Sequence, residues 1–389
     1  MNVPKLRFKE FTDEWQKKTL KSVSSYFKSG KSIKSNDILK NAPYPVYGGN
    51  GLRGYTNTFN FDGNASLIGR QGALCGNVTY VKGKNYMTEH AVIVQSNYDN
   101  YNKFLFYILL SMNLNQYSTQ SAQPGLSVNN LLELFNYFPN IQEQEKIAKF
   151  LTTVDKKITN LENTITSLEN QKKGLLQQIF SQKLRFKDKN GNNYPNWEKK
   201  KLGDIATLKN GISKSNEAFG HGKKFINLQD IFNKSYIFNG NYSLVDVTEK
   251  ELSENNLLKG DVLFVRSSVK REGVGLPCVI MENLIDTVYS GFIIRCRFNI
   301  NENIYLHYKK YCFLEFSFRK ALLKKSSSSA NTNINQDNLS KLYVKLPCLE
   351  EQTKIADFLS AFDRKLENQK AQLEHWKQIK KGLLQQMFV

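Results

Sequence analysis

Two stretches of the chain carry the same apolar pattern. In the first, Ile147, Leu151, Val154, Ile158, Leu161, Ile165 and Leu168 step by four and three in turn. In the second, Ile355, Leu359, Phe362, Leu366, Gln369, Leu373 and Trp376 take the equivalent places, with one polar interruption at Gln369. This stepping is an a/d seam, the apolar stripe of a long helix, over about three heptads. Pro139 and Pro347 stand just before the two stretches and acidic residues fill the first turns, both helix-start signals. The stretches are copies of each other. EQEKIAKFLTTVDKKI ending in KKGLLQQIF recurs as EQTKIADFLSAFDRKL ending in KKGLLQQMF, 208 positions later and without a gap. About 18 of 40 aligned positions are identical, far above chance. Gly174 and Gly382 interrupt the two tails. A mid-helix glycine costs about 1 kcal/mol relative to alanine, which predicts a close backbone approach at both.

A second repeat precedes each half. Lys5-Leu6-Arg7-Phe8 recurs as Lys183-Leu184-Arg185-Phe186, and each is followed by a Trp and a lysine pair, at Trp15-Gln16-Lys17-Lys18 and Trp197-Glu198-Lys199-Lys200. Phe180 runs almost directly into the second KLRF, whereas Phe388 stands at the far end from the first. The repeat is therefore cyclic, and the segments around Phe388 and Lys5 are expected to lie close in space.

A helix of about 40 residues is about 60 Å long and cannot bury its stripe inside a small domain. The two stripes are expected to bury each other as an antiparallel pair with pseudo-two-fold symmetry. The alternative is that each helix forms a homodimeric coiled coil of its own. The remaining sequence is mixed. β-like runs at Ala65–Ile68, Val78–Val81, Ala91–Gln95, Val262–Val265, Cys278–Met281 and Phe292–Arg297 alternate with glycine turns, and helix-like stretches appear at Asn102–Met112 and Tyr305–Leu323. The expected class is α+β: two globular α/β-mixed domains, 1–140 and 182–347, joined by helical repeats at 141–181 and 348–389.

Charge narrows the function. The formal net charge is +20. The stretch Ile141–Phe180 carries six lysines against five acids, and Leu349–Phe388 seven basic against six acidic residues, so all but two of the excess charges lie outside the helices. Basic heads on neutral struts point to a polyanion, first of all nucleic acid. A membrane surface fits poorly, because Lys and Arg are spread along the chain rather than gathered on one amphipathic face. The first ten residues are charged, and the longest apolar run, Phe104–Leu110, is too short to span a bilayer. The five cysteines, at 75, 278, 296, 312 and 348, form no CxxC pair and read as free thiols of a cytoplasmic protein. No Walker A loop, methyltransferase motif or metal-like His/Cys spacing is present. The chain reads as a non-catalytic binder with no cofactor or metal of its own.

Candidate DNA contacts are residue types that match base edges or phosphates. In the first domain these are Arg70 and Gln71 after a strand, Lys82 and Lys84 placed in a glycine turn, and Gln123 in a polar run. In the second they are Arg266, Ser267, Ser268, Lys270 and Arg271 after the strand Val262–Val265, with Asn331 and Asn333 in the polar run before the helix. A solvated surface loop is the competing reading for each of them. Tyr44, Tyr47 and Tyr55 are better placed in a core than on a base.

Taken together, two variable domains alternate with two helical repeats bearing Pro-x-x-x-Glu-Gln-x-x-Ile and ending Gly-Leu-Leu-Gln-Gln-hydrophobic-Phe. The chain resembles the specificity subunits of type I restriction-modification systems, over nearly its whole length. Leu67-Ile68-Gly69-Arg70-Gln71-Gly72 and Lys259-Gly260-Asp261-Val262-Leu263 resemble that family's target-recognition domains more loosely. The resemblance implies that each domain reads one half of a bipartite asymmetric site in double-stranded DNA. It implies that the helices set the spacer and dock two methyltransferase subunits, and through them the restriction and translocase subunits. S-adenosylmethionine, ATP and Mg would belong to those partners. The rival expectations are a nucleic-acid-binding coiled-coil scaffold unrelated to restriction, and an autonomous DNA enzyme of unfamiliar motif.

Overall fold

The computed structural model describes residues 2–72, 74–118, 125–328 and 331–389. The chain separates into two compact units, Met1–Thr164 with Gln369–Val389, and Ile165–Asn368. The division cuts both long helices, Ile141–Phe180 and Leu349–Gln386. Each unit therefore holds one head, the first turns of its own long helix and the last turns of the other.

In the first unit a six-stranded sheet has the order Ser24–Ser29, Ala91–Ser96, Phe61–Gly69, Val78–Met87, Tyr44–Gly48, Gly51–Thr56. All neighbours are antiparallel except Tyr44–Gly48, which runs parallel to Val78–Met87. Successive strand residues point to opposite faces. Val92 and Val94 thus join the core beneath the helix Asn102–Ser111, while Ile93 and Leu67 pack on the other face. In the second unit the central sheet has the order Ala206–Asn210, Ile293–Phe298, Val262–Val265, Pro277–Ile280, Tyr236–Ile237. Val262 and Phe264 serve one core, Leu263 and Val265 another. The expected single helix over Tyr305–Leu323 is two helices, Tyr308–Leu314 and Phe316–Lys325. Glu315 makes the break, because its carboxylate caps the second helix by accepting from Ser317 N and Phe318 N.

The repeated motifs make the same contacts twice. Arg7 of the first KLRF donates to both carboxylate oxygens of Glu143 at 2.8 Å, and Arg185 of the second donates to Glu351 at 3.1 and 2.7 Å. Both glutamates are fully buried, and their hydrogen bonds raise the pKa of each guanidinium above the usual arginine value. Gln144 Nε2 donates to Pro139 O and its Oε1 accepts from Tyr101 N. Gln352 does the same with Pro347 O and Tyr305 N. The Pro-x-x-x-Glu-Gln motif thus staples the start of each long helix to its head. The copies differ at the Trp: Trp197 Nε1 donates to Glu351, whereas Trp15 Nε1 is buried without a partner.

The last turns of each long helix pack into the core of the unit that holds them. In the first unit Met387 and Phe388 pack with Trp15 and Phe104, and Leu6 N donates to Gln386 O. In the second, Ile179 and Phe180 pack with Trp197 and Tyr308, and Leu184 N donates to Gln178 O. The cyclic reading holds: one junction joins two separate chain segments, and its copy is continuous. Within the first unit Lys380 pairs with Asp155 at 2.7 Å and Lys377 with Glu162 at 3.0 Å, so partner numbers fall on one helix as they rise on the other. Lys172 pairs with Asp363 in the second. The helices are antiparallel and paired within the chain, which disposes of the homodimer alternative.

The seam residues Val154, Leu161, Ile165, Leu168 and Leu366 are buried, and Ile158, Phe362, Leu373 and Trp376 are half-buried. Ile147 and Leu151 in one unit, and Ile355 and Leu359 in the other, belong to the head cores as well. The expectation for Gly174 and Gly382 is corrected: a Cβ at either position would meet nothing within 4 Å. Lys82 and Lys84 are also corrected. They lie in the strand Val78–Met87 paired with Asn64 and Asp62, not in a turn, because Gly83 takes its positive φ opposite Gly63 inside the ladder.

Three expectations follow. Gly174→Ala and Gly382→Ala should each stabilise the chain by up to about 1 kcal/mol in urea denaturation, since the glycines only add unfolded-state entropy. Glu351→Ala, which leaves Arg185 and the Trp197 indole without their partner, should cost about 3–5 kcal/mol in the same measurement. Asp363 is desolvated, but Lys310, Lys172 and Tyr311 around it hold its pKa below the usual aspartate value. Its contribution is present above the unfolded-state aspartate pKa and is lost as pH falls through the lower folded value. Asp363→Asn should lower stability near neutrality and flatten the acid limb of a stability–pH curve.

Candidate nucleic-acid interface

Two loop systems gather most of the candidate residues, one in each unit, on a shared backbone frame. In the first unit the strand Phe61–Gly69 ends in Arg70. Arg70 N donates to His90 O at 3.0 Å and Leu126 N donates to Arg70 O at 2.9 Å. In the second, Val262–Val265 ends in Arg266, whose N donates to Phe292 O at 2.9 Å while Ile334 N donates to Arg266 O at 3.0 Å. Upstream, Gly30 and Gly211 let two chains touch: a Cβ there would lie 2.2 Å from Met87 O or 2.0 Å from Tyr289 O, so only glycine fits. Position by position, His90 matches Phe292, and Gln71 matches Ser267.

The guanidiniums of this frame are braces within their own heads. Arg70 donates from Nη1 to Ser29 Oγ at 3.1 Å, and from Nε towards Leu126 O at 3.4 Å. Arg266 Nη1 donates to Gly291 O at 2.9 Å, and both residues are half-buried. The residue after Arg70 faces outward, whereas after Arg266 Ser267 is half-buried and Ser268 buried. Gln71 is exposed and accepts from His90 Nδ1 at 2.7 Å. Together with Asn50, Leu52 and Arg53 they line an open groove of about 460 Å³. Gln123 lies outside the described residues, although Gln71 bridges to Gly125 beside it. Lys82 and Lys84 are exposed but stand about 20 and about 26 Å along the strand from Arg70, by the rise of an extended chain, so the two sets form no single surface. Lys84 Nζ lies 4.8 Å from the centre of the Phe59 ring.

The second unit brings its candidates closer together. Ser267 and Ser268 pair with Asn333 and Thr332, which pair in turn with Ser327 and Ser328. Asn333 Nδ2 donates to Asn331 O at 3.0 Å. Lys270 and Arg271 follow and are exposed. An apolar groove, again about 460 Å³, opens between Leu228, Phe232, Val269 and Phe292, with Ser267, Lys270 and Asn331 on its rim.

A cluster that motif reading did not single out stands at the foot of each head. Tyr107 Oη donates to Asp155 at 2.7 Å and lies 3.2 Å from Thr152 Oγ1. Tyr311 Oη donates to Asp363 at 2.6 Å and lies 3.0 Å from Ser360 Oγ. Burial is the main reason both phenols are held far above the usual tyrosine value. The signal was in the repeat, because Asp155/Asp363 and Lys172/Lys380 survive the 208-residue shift unchanged. Lys103 lies over the Tyr80 and Phe106 rings at 3.9 and 4.1 Å, and burial lowers its pKa to about 8. All five cysteines are free; Cys348 is half-buried and the others are buried. Among the described residues, no helix is long and apolar enough to cross a membrane.

A family model described as the type I restriction modification DNA specificity domain matches residues 12–170 and again 194–375. The chain is 44% identical over 154 residues to the type I restriction enzyme EcoprrI specificity subunit of Escherichia coli, covering 39% of this chain and 38% of that protein. It is 28% identical over 200 residues to the MjaIX specificity subunit of Methanocaldococcus jannaschii, covering 50% of this chain and 44% of that one. These matches span less than half the length of either relative. The crystal structure of a type I restriction-modification S subunit from M. genitalium superposes with a TM-score of 0.64 at 19% identity, over 100% of this chain and 99% of that one. A chain from a structure of complex assembly and conformational transition in a type I system gives 0.57 at 14% identity, over 96% and 97%. At these identities the likeness is one of fold.

Proposed function

We propose that this chain, which belongs to the type I restriction modification DNA specificity family, reads a bipartite, asymmetric site in double-stranded DNA, one half-site with each head. The observation that carries the reading is the common frame with unlike side chains: the backbones of Arg70 and Arg266 are anchored in the same way, while His90 and Gln71 of the first head stand where the second has Phe292 and Ser267. A scaffold that bound nucleic acid without sequence preference would have no use for that contrast. The basic excess outside the helices supplies phosphate attraction, and the exposed Gln71 in one head and the half-buried Ser267 and exposed Lys270 and Arg271 in the other supply donors and acceptors for base edges.

The chain carries no catalytic step of its own. S-adenosylmethionine, ATP and Mg chemistry belong to partner subunits in a cytoplasmic complex, two methyltransferase subunits docking on the helical repeats and the restriction and translocase subunits joining through them. The two curated relatives, both named as specificity subunits of type I restriction enzymes, support this class of partner. The duplicated helix surface supports two equivalent docking sites. The domains are taken as 1–140 and 182–347 for recognition and 141–181 and 348–389 for spacing.

Replacing residues 20–138 by another family member's head should change one half of the methylated site in a genome-wide methylation map. A change in both halves, or in neither, overturns the reading. Lys270→Ala, at an exposed cation beside the second loop system, should weaken binding of the assembled complex evenly across sequences and lower the salt slope by about one.

A further inference from the structure

The second head carries an apolar feature that a phosphate-and-hydrogen-bond reader does not need. Val269 is 84% exposed and Phe292 60% exposed, and they flank the same groove. Neither hangs on a loose loop. Phe292 is fixed through its own backbone, its O accepting from Arg266 N and its N donating to Ser290 Oγ at 3.3 Å. Val269 sits between the ladder of Ser267–Ser268 with Thr332–Asn333 and the turn closed by Gly273 N donating to Lys270 O. The backbone thus holds two large apolar side chains in water, with Lys270 and Arg271 exposed beside them.

We propose that the head of residues 182–347 recognises the C5-methyl group of a thymine in the major groove by seating it between Val269 and Phe292. This deepens the reading given above and rests on it. In the major groove the thymine methyl is the apolar mark that separates an A·T pair from the others, and side chains meet it by apolar contact. The surroundings suit a duplex rather than an apolar protein segment. Cations flank the groove, and the Ser267/Asn333 ladder offers donors and acceptors to neighbouring base edges. At the position equivalent to Phe292 the first head has His90, whose ring is hydrogen-bonded to Gln71, so the two heads present different side chains there. A partner docking on the duplicated helices has no reason to need it.

The test uses the assembled complex with its methyltransferase subunits and a duplex carrying the mapped site. Each thymine of the half-site assigned to this head is replaced in turn by deoxyuridine, which removes only the methyl group. One replacement should lower affinity about fourfold, the worth of one buried methyl-sized group. With the paired substitutions Val269→Ser and Phe292→Ser that ratio should fall to near one, the other half-site being read as before. If no replacement matters by twofold, or the half-site holds no thymine, the methyl contact is overturned while a head exchange that still moves one half-site leaves the reading of function standing. Loss of binding to every sequence in the paired variant also overturns it, marking the rim as structural or as a protein-docking surface. A head exchange that moves neither half-site sinks the reading of function itself.

Discussion

The structure depends on a buried carboxylate at the root of each long helix. Glu143 and Glu351 are fully buried, and a charge in that position is tolerable only with a partner of matched geometry. Arg7 and Arg185 supply it through two parallel hydrogen bonds, the planar fork that a lysine could not present. The clamp ties three parts of the chain together at one point: the KLRF segment, the helix start and, through the neighbouring glutamine, the approach to the head's own helix. It gives the helix a defined exit from the head, so that the head and the root of its strut behave as one body.

The far end of each strut is held by a different physics. The last turns, residues 383–388 and 176–180, bury aromatic and aliphatic side chains in a head core. Just before those turns a lysine on each strut is anchored on a carboxylate, Lys380 on Asp155 and Lys172 on Asp363. Each of those aspartates also takes a buried tyrosine hydroxyl, so head, own helix and returning helix meet on one carboxylate. The apolar last turns and the lysine–aspartate pair beside them both recur in the two copies of the repeat.

The heads use the opposite strategy. Their frames are fixed by backbone hydrogen bonds and by glycines where chains touch, features that constrain little of the outward sequence. Side chains beyond Arg70 and Arg266 are then free to differ. A change at Gln71, His90, Ser267 or Phe292 alters what is presented without disturbing what holds it, which suits the proposed reading in which each head takes its own half-site.

The amino-acid sequence by itself determined the long helices and the closure of the repeat, because apolar periodicity and a gapless 208-residue duplication report directly on burial; that the helices pair within one chain was decided by the ion pairs between them. It also located the strands Val262–Val265 and Ala91–Ser96, where a compact apolar run allows few alternatives. Only the tertiary structure decided the rest. That Lys82 and Lys84 belong to a strand follows from Gly63 facing Gly83 across a ladder. That Arg70 and Arg266 are braces follows from carbonyls distant in sequence, and that Phe292 faces water although its neighbours Ile293 and Ile294 are buried follows from its place at the strand's mouth. Periodicity records which residues avoid water on average; which side chains converge at a site depends on contacts between segments far apart in the chain, and no local pattern encodes those.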